Sequence, residues 1–157
     1  MAIPVIEQAK AQAQVLVPLI KALREELGSE RANALVRRTL GEHFRKLGRE
    51  AWQRYGAQSA EDKMERTWKG FAVGDALKYE VLKKSPDAFE LNVTECQYAR
   101  FYQELGEPEL GFLFVCSQDD TFFEGYEGVR LRRTQTIMQG ASHCDFRFRL
   151  AQEKSQP

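Results

Sequence analysis

Apolar residues recur at helical spacing through the first half of the chain and at alternate positions through much of the second. Residues 4 to about 76 read as helix. Val15, Leu16, Leu19, Ile20, Leu23 and Leu27 fall three and four apart, which puts them on one helix face. Pro18 lies inside that run and predicts a kink or a displaced start. Gly28-Ser29 reads as a C-terminal glycine followed by an N-cap serine. A second helix then carries Ala32, Leu35, Val36, Leu40, Phe44, Leu47, Ala51, Trp52 and Tyr55, and ends at Gly56. Ser59-Ala60-Glu61-Asp62 has the form of a capping box and opens a third helix with Met64, Trp68 and Phe71.

From Leu77 the period drops to two. Leu77–Leu82 and Ala88–Val93 alternate around Ser85-Pro86-Asp87, which is turn chemistry and predicts a hairpin. A short helix follows from about Glu95 to Leu105, and Pro108, at a first-turn position, opens another through Cys116. Gly125 and Gly128 break the chain. Val129–Met138 and His143–Leu150 read as a second hairpin around Gln139-Gly140-Ala141-Ser142. The pattern predicts one α+β domain over residues 1–157: a helical half (1–76) packed on an antiparallel sheet of about four strands with two short inserted helices (77–150). Residues 151–157 read as a disordered, solvated tail.

Composition narrows the setting. The chain has 157 residues, 43% hydrophobic and 11% aromatic, and its 23 basic residues balance 23 acidic ones. This length suits one ordinary domain with its own core. Neutral balance argues against a general nucleic-acid binder. No apolar run approaches the ~20 residues of a membrane span, and no export signal is seen. Three cysteines do not make a disulfide framework, so the expected compartment is the reducing cytoplasm. Self-association is left open.

The candidate chemistry lies in the second half. Thr94-Glu95-Cys96-Gln97 has capping-box spacing, with Thr94 as the N-cap. Cys96 would then be the second residue of a helix, where free amides and the helix dipole favour a thiolate. The plain alternative is a small buried hydrophobe, as most free cysteines are. Cys116 follows the apolar run Gly111–Val115 and precedes Ser117-Gln118-Asp119-Asp120. It is either a core cysteine at an element's end or a thiol placed beside a carboxylate at a pocket mouth.

In the last strand His143, Asp145, Arg147 and Arg149 share one face, and Cys144, Phe146, Phe148 and Leu150 the other. His143 and Asp145, two apart, can pair so that the carboxylate fixes the imidazole tautomer. The alternative is an ordinary polar outer face. Arg133 shares its strand face with Val129, Leu131 and Ile137 and is the inward candidate, while Arg130 and Arg132 read as solvated. A closed zinc site is disfavoured, because adjacent His143 and Cys144 point opposite ways and no Cys-x-x-Cys is present. An open three-ligand site of Cys96, Cys116 and His143 remains. His43 reads as surface or packing.

Four segments resemble the L-2-amino-thiazoline-4-carboxylic acid hydrolase family. They are Asn92–Ala99, Glu104–Gly111, Cys116 with Asp119, and Leu131–Arg147, whose Gly140-Ala141-Ser142-His143-Cys144-Asp145-Phe146 string is the most specific. The resemblance spans roughly residues 85 to 150. It implies hydrolysis of a C–N bond in a cyclic amidine-like compound, with ring opening to an S-carbamoyl amino acid. Such chemistry needs a nucleophile, a base, an acid and a cation for the substrate carboxylate. The candidates are Cys96 or Cys116 as nucleophile or metal ligand, and His143 oriented by Asp145 as base. Glu104 or Asp119 would be the acid, Arg133 would grip the carboxylate, and Cys144 would line the substrate site. A divalent transition metal such as zinc is the implied alternative to a thiolate. A reading from another class is a non-catalytic small-molecule-binding or metal- or redox-sensing domain.

Charge is unevenly spread. Residues 1–84 hold 16 basic and 11 acidic residues, residues 85–127 hold 1 and 10, and residues 128–157 hold 6 and 2. Ion pairing with the acidic connector is therefore the expected role of most arginines of the second hairpin, which leaves Arg133 as the carboxylate-binding candidate.

Overall fold

A computed structural model describes residues 2–151. The expected solvated end, Gln152–Pro157, lies outside the described residues. The helical half comprises α1 (Val5–Leu27), α2 (Ser29–Arg54) and α3 (Ala60–Phe71). Helix α1 runs through Pro18 without a break. Pro18 is exposed, so water can take up the carbonyl its missing N–H leaves free. The inward stripe is Ile6, Ala13 and Ile20, seven apart, with Leu16, Val17 and Leu23 beside it. Val15 and Leu19, expected on that face, point outward at 67% and 52% exposure.

Gly28, at φ 81°, is both the last cap of α1 and the first of α2. Ser29 is therefore the first helical residue rather than the N-cap, and it makes no capping bond. Ser59 does cap α3, accepting from the Asp62 amide at 3.3 Å. The buried positions of α2 are Ala32, Gly41 and Gly48, and Leu47 faces out. The glycines let another backbone come close: a Cβ on Gly48 would sit 2.0 Å from the Phe122 carbonyl oxygen.

The sheet-bearing half begins with β1 (Leu77–Ser85) and β2 (Ala88–Cys96), joined at Pro86-Asp87, each strand three residues longer than the alternation predicted. Helix α4 (Gln97–Glu104) and the single turn α5 (Pro108–Gly111, with Pro108 in its first turn) follow. The chain does not stop at Cys116. Phe112–Cys116 forms a π-helical segment that runs straight into α6 (Ser117–Glu124).

Strand β3 is only Val129–Arg132, and β4 is Cys144–Leu150. The predicted tight second hairpin is therefore a long connection. The chain leaves the sheet after Arg132, because the Thr134 and Gln135 amides turn to the Asp145 carboxylate. A 3₁₀ turn at Ile137–Gln139 and Gly140 at φ 100° then bring it back. All pairings are antiparallel, in the order β1-β2-β4-β3. The α+β architecture is as the pattern predicts.

The inner face of the sheet carries Phe89, Leu91, Val93, Cys144, Phe146 and Phe148, packed against Met64, Trp68, Phe123 and Tyr126. Trp68 lies edge-on to Phe146 at 4.5 Å between ring centroids. Burying side chains of this size contributes ~1.5–3 kcal/mol each. The outer face carries Glu90, Asn92, Asp145, Arg147, Arg149, Arg130 and Arg132, and is half-buried or exposed. Among the described residues, no helix is long and apolar enough to cross a membrane.

Candidate functional site

The three thiols converge beneath the inner face, at the joints between elements. Cys96 ends β2 and is itself the N-cap of α4, its Sγ accepting from the Ala99 amide at 3.4 Å. Thr94, the expected cap, stays in the strand and donates its hydroxyl to the Lys78 carbonyl. The helix thus starts two residues later than the capping-box spacing implied. Cys96 packs against all three buried clusters of the molecule. Cys116 closes the π segment, and Cys144 opens the inner face of β4 with its Sγ accepting from the Ile137 amide at 3.2 Å.

Burial pushes the Cys96 thiol up to about 11, outweighing the amide bond from Ala99. The same cause raises Cys116 and Cys144. The helix N-terminus therefore does not make Cys96 a resting thiolate: desolvation exceeds the effect of the aligned amides.

Arg133 and Asp119 form the charged part of this region. The Arg133 side chain is 6% exposed, lies over the Phe146 ring at 5.3 Å, and donates to Asp119 Oδ2 at 3.0 Å. It also donates twice, at 3.2 Å, to the Cys116 carbonyl. That carbonyl belongs to the residue where the π segment meets α6. Ser117 and the buried Gln118 both donate their side chains to the Leu113 carbonyl. The Asp119 side chain keeps 28% exposure, yet burial raises its carboxyl to about 7. The neighbouring Arg133 opposes that shift without cancelling it. A carboxyl there can hold or release a proton near neutrality.

The remaining candidates lie elsewhere. His143 and Asp145 do not pair. Asp145 accepts from the Thr134 hydroxyl and amide and from the Gln135 amide, whereas His143 Nδ1 sits 2.9 Å from the Ser142 hydroxyl. Asp145 is on the outer side of β4, opposite Cys144, so it acts away from the thiols. Burial alone would raise the Asp145 carboxyl, but the bonds from Thr134 and Gln135 hold it below the usual carboxylate range. Glu104 ends α4 whereas Cys96 caps its start, which separates them by about 12 Å of helix. Among the described residues, no three His, Cys, Asp or Glu side chains come together to hold a metal ion. The open site of Cys96, Cys116 and His143 is not assembled.

Of the second-hairpin arginines only Arg133 pairs with the acidic connector among the described residues. The connector pairs instead with the helical half, through Lys21–Glu107, Arg24–Glu109 and Arg45–Glu124.

Among the described residues, two concavities open to solvent bear on the site. One of about 530 Å³ is lined by Asn33, Arg37, Gln103, Phe112, Leu113 and Met138-Gln139-Gly140, among others. It contains none of the candidate catalytic or ligand residues read from the sequence, although Pro108, Glu109 and Met138-Gln139-Gly140 belong to segments that carry the family resemblance. Its wall residues Leu113 and Met138 also belong to the buried cluster that holds Cys116. Asn33, Arg37 and Gln103 sit on ordinary amphipathic helices, and nothing in their spacing distinguishes them. The other concavity, about 350 Å³, lies on the outer face of the sheet.

No curated protein matches the chain. Among solved structures, the fold is similar to that of the phenol-responsive sensory domain of the transcription activator PoxR, solved with phenol. The TM-score is 0.55 at 14% identity, covering 87% of this chain and 73% of that one. The thiols, Arg133 and Asp119 all lie in segments that carry the resemblance, and the match to the family extends well beyond them into the helical half, over residues 8–148: the chain belongs to the L-2-amino-thiazoline-4-carboxylic acid hydrolase family.

Proposed function

We propose that the protein hydrolyses a C–N bond in a cyclic amidine-like compound bearing a carboxylate, with Asp119 as the proton carrier. The observation that carries this reading is the Arg133–Asp119 pair at 3.0 Å, its carboxyl pushed up by burial to about 7, in the region that holds the half-buried Cys96 and the buried Cys116 and Cys144, in a chain of this family. Raised thiols favour water over a resting thiolate as the attacking group. Asp119 would take a proton from water as its oxygen bonds to the sp2 carbon between the ring heteroatoms. It would deliver that proton to the ring nitrogen, then relay the remaining hydroxyl proton of the tetrahedral centre to the same nitrogen as the C–N bond breaks, giving a carbamoyl group and a free amine. Arg133 would orient Asp119 and stabilise charge at the centre. The 530 Å³ concavity, with Arg37 at its wall for the carboxylate, is the entrance this reading favours.

The test is turnover of 2-amino-thiazoline-4-carboxylate and related amidines. Asp119→Asn is expected to lower kcat by at least ~10² while the protein still melts cooperatively. Wild-type kcat is expected to rise with pH through about 7.

A second reading is a ligand-sensing domain, favoured by the likeness to the PoxR sensory domain and by the protonated thiols. It would prevail if no amidine turned over while a small molecule such as phenol raised the melting temperature.

A further inference from the structure

The outer face of the sheet presents arginines in an arrangement that costs stability unless something anionic sits on it. Arg130 of β3 is directly opposite Arg149 of β4, and Arg132 is directly opposite Arg147. Like charges in directly opposed positions destabilise a strand pair. β3 is four residues long, so two of its four pairings are of this kind. Among the described residues, none of these four arginines forms a close ion pair; Glu90 across from Arg147 and Asp87 near Arg149 offset them only in part.

Arg132, Arg147 and Arg149 converge on the concavity of about 350 Å³, together with Glu90, Thr134 and Asp145. The Arg147 guanidinium is already fixed. Its Nη1 donates to the Leu91 and Phe146 carbonyls, and its Nη2 to Asn92 Oδ1. Asp145 is saturated by Thr134 and Gln135, so its charge is partly offset by donors that face it. Glu90 lies across from Arg147 and offsets one arginine.

We propose that this concavity is a binding site for a compact, multiply charged phosphate-type oxyanion, lying between Arg132, Arg147 and Arg149. Guanidinium groups recognise such oxygens with two parallel hydrogen bonds. An anion there turns cross-strand repulsion into a bridge. The hollow suits a small ligand better than a polymer, since the three arginines flank one concavity rather than a track along the surface. The site uses none of the residues assigned to hydrolysis, so the two readings stand or fall separately.

The experiment compares melting temperature and calorimetric binding in inorganic phosphate, pyrophosphate and sodium chloride at matched ionic strength, for wild type and for Arg132→Gln/Arg149→Gln. Wild type should melt higher in pyrophosphate than in chloride, with phosphate between them. The double variant should lose that difference and bind pyrophosphate at least ~10-fold more weakly. In chloride it should melt no lower than wild type, because the repulsion is relieved. If the glutamine variant does not fold, Arg132→Lys/Arg149→Lys keeps the charge without the paired donors and should weaken binding several-fold. The proposal is overturned if wild type melts equally in all three salts, if the variants keep the pyrophosphate shift, or if a single-stranded oligonucleotide binds more tightly than pyrophosphate.

Discussion

Asp119 and Asp145 are two carboxylates reached from opposite faces of one strand, and their surroundings push them in opposite directions. Asp119 is met by a single side chain, Arg133, which stacks on the inner residue Phe146, and burial raises its carboxyl to about 7. Asp145 stands on the outer face and accepts from one hydroxyl and two backbone amides, which hold it below its ordinary range. The difference teaches that a counter-charge is not what decides ionisation here. Asp119 has the ion pair and is the harder to ionise. Asp145 has no ion pair among the described residues and is the easier, because several donors aimed at one carboxylate outweigh its modest burial. Only the first is suited to carry a proton at neutral pH.

The sharpest way to break this comparison is to remove Arg133. Arg133→Met takes away the Asp119 donor and leaves the Cys116 carbonyl without its partner. Losing hydrogen bonds from a charged, partly buried donor costs about 1.5–3 kcal/mol, read as a lower denaturant midpoint at unchanged slope. A loss below ~1 kcal/mol would mean that the pair is solvated after all.

The next test turns on opposite signs in pH. Asp119 has a folded pKa above the unfolded value of 3.8, so its contribution to stability is full below that value. It is lost as pH rises from there to about 7. Asp119→Asn, always neutral, should therefore match wild type near pH 4 and melt higher than wild type at pH 8. Arg133 tolerates the change because it keeps the Cys116 carbonyl. Asp145 has a folded pKa below 3.8, so its contribution is present above that value and is lost as pH falls through the folded pKa. Asp145→Ala should cost about 1 kcal/mol at pH 7 and less in acid. Melting curves of the two variants that shift in the same sense with pH would end the contrast.

The smallest perturbation concerns the thiols. With Cys96 raised from 9.0 to about 11, its thiolate fraction at pH 7.5 falls by about 100-fold relative to a free thiol. Iodoacetamide should label it correspondingly slowly in the native protein, and fast after denaturation. Native labelling at the rate of free cysteine would show that the helix N-terminus prevails over burial.

Local chemistry determined much of this molecule. Period-two spacing fixed which side of β4 each residue takes, because a strand offers only two faces. It thereby set Cys144 apart from Asp145; Arg133, read from the same alternation as inward, is inward although β3 ends one residue before it. Ser59, Pro108 and Pro86-Asp87 act through their immediate neighbours, and the helix starts and the turn they mark are where the sequence puts them, though the elements' far ends are not. The family motifs likewise belong to the sequence.

Tertiary structure decided what depends on which surfaces meet. Val15 and Leu19 are as apolar as Ile20, and only the contact with the rest of the fold selects the Ile6–Ala13–Ile20 stripe. Gly41 and Gly48 look like weak helix positions until α6 is placed against them. The Arg133 bonds to the Cys116 carbonyl and to Asp119, and the raised Asp119 carboxyl, arise from packing between residues distant in sequence. The pairing of the acidic connector with α1 and α2 is of the same kind. Spacing along a chain specifies faces and caps, whereas desolvation and charge partners are properties of the assembled volume around a group.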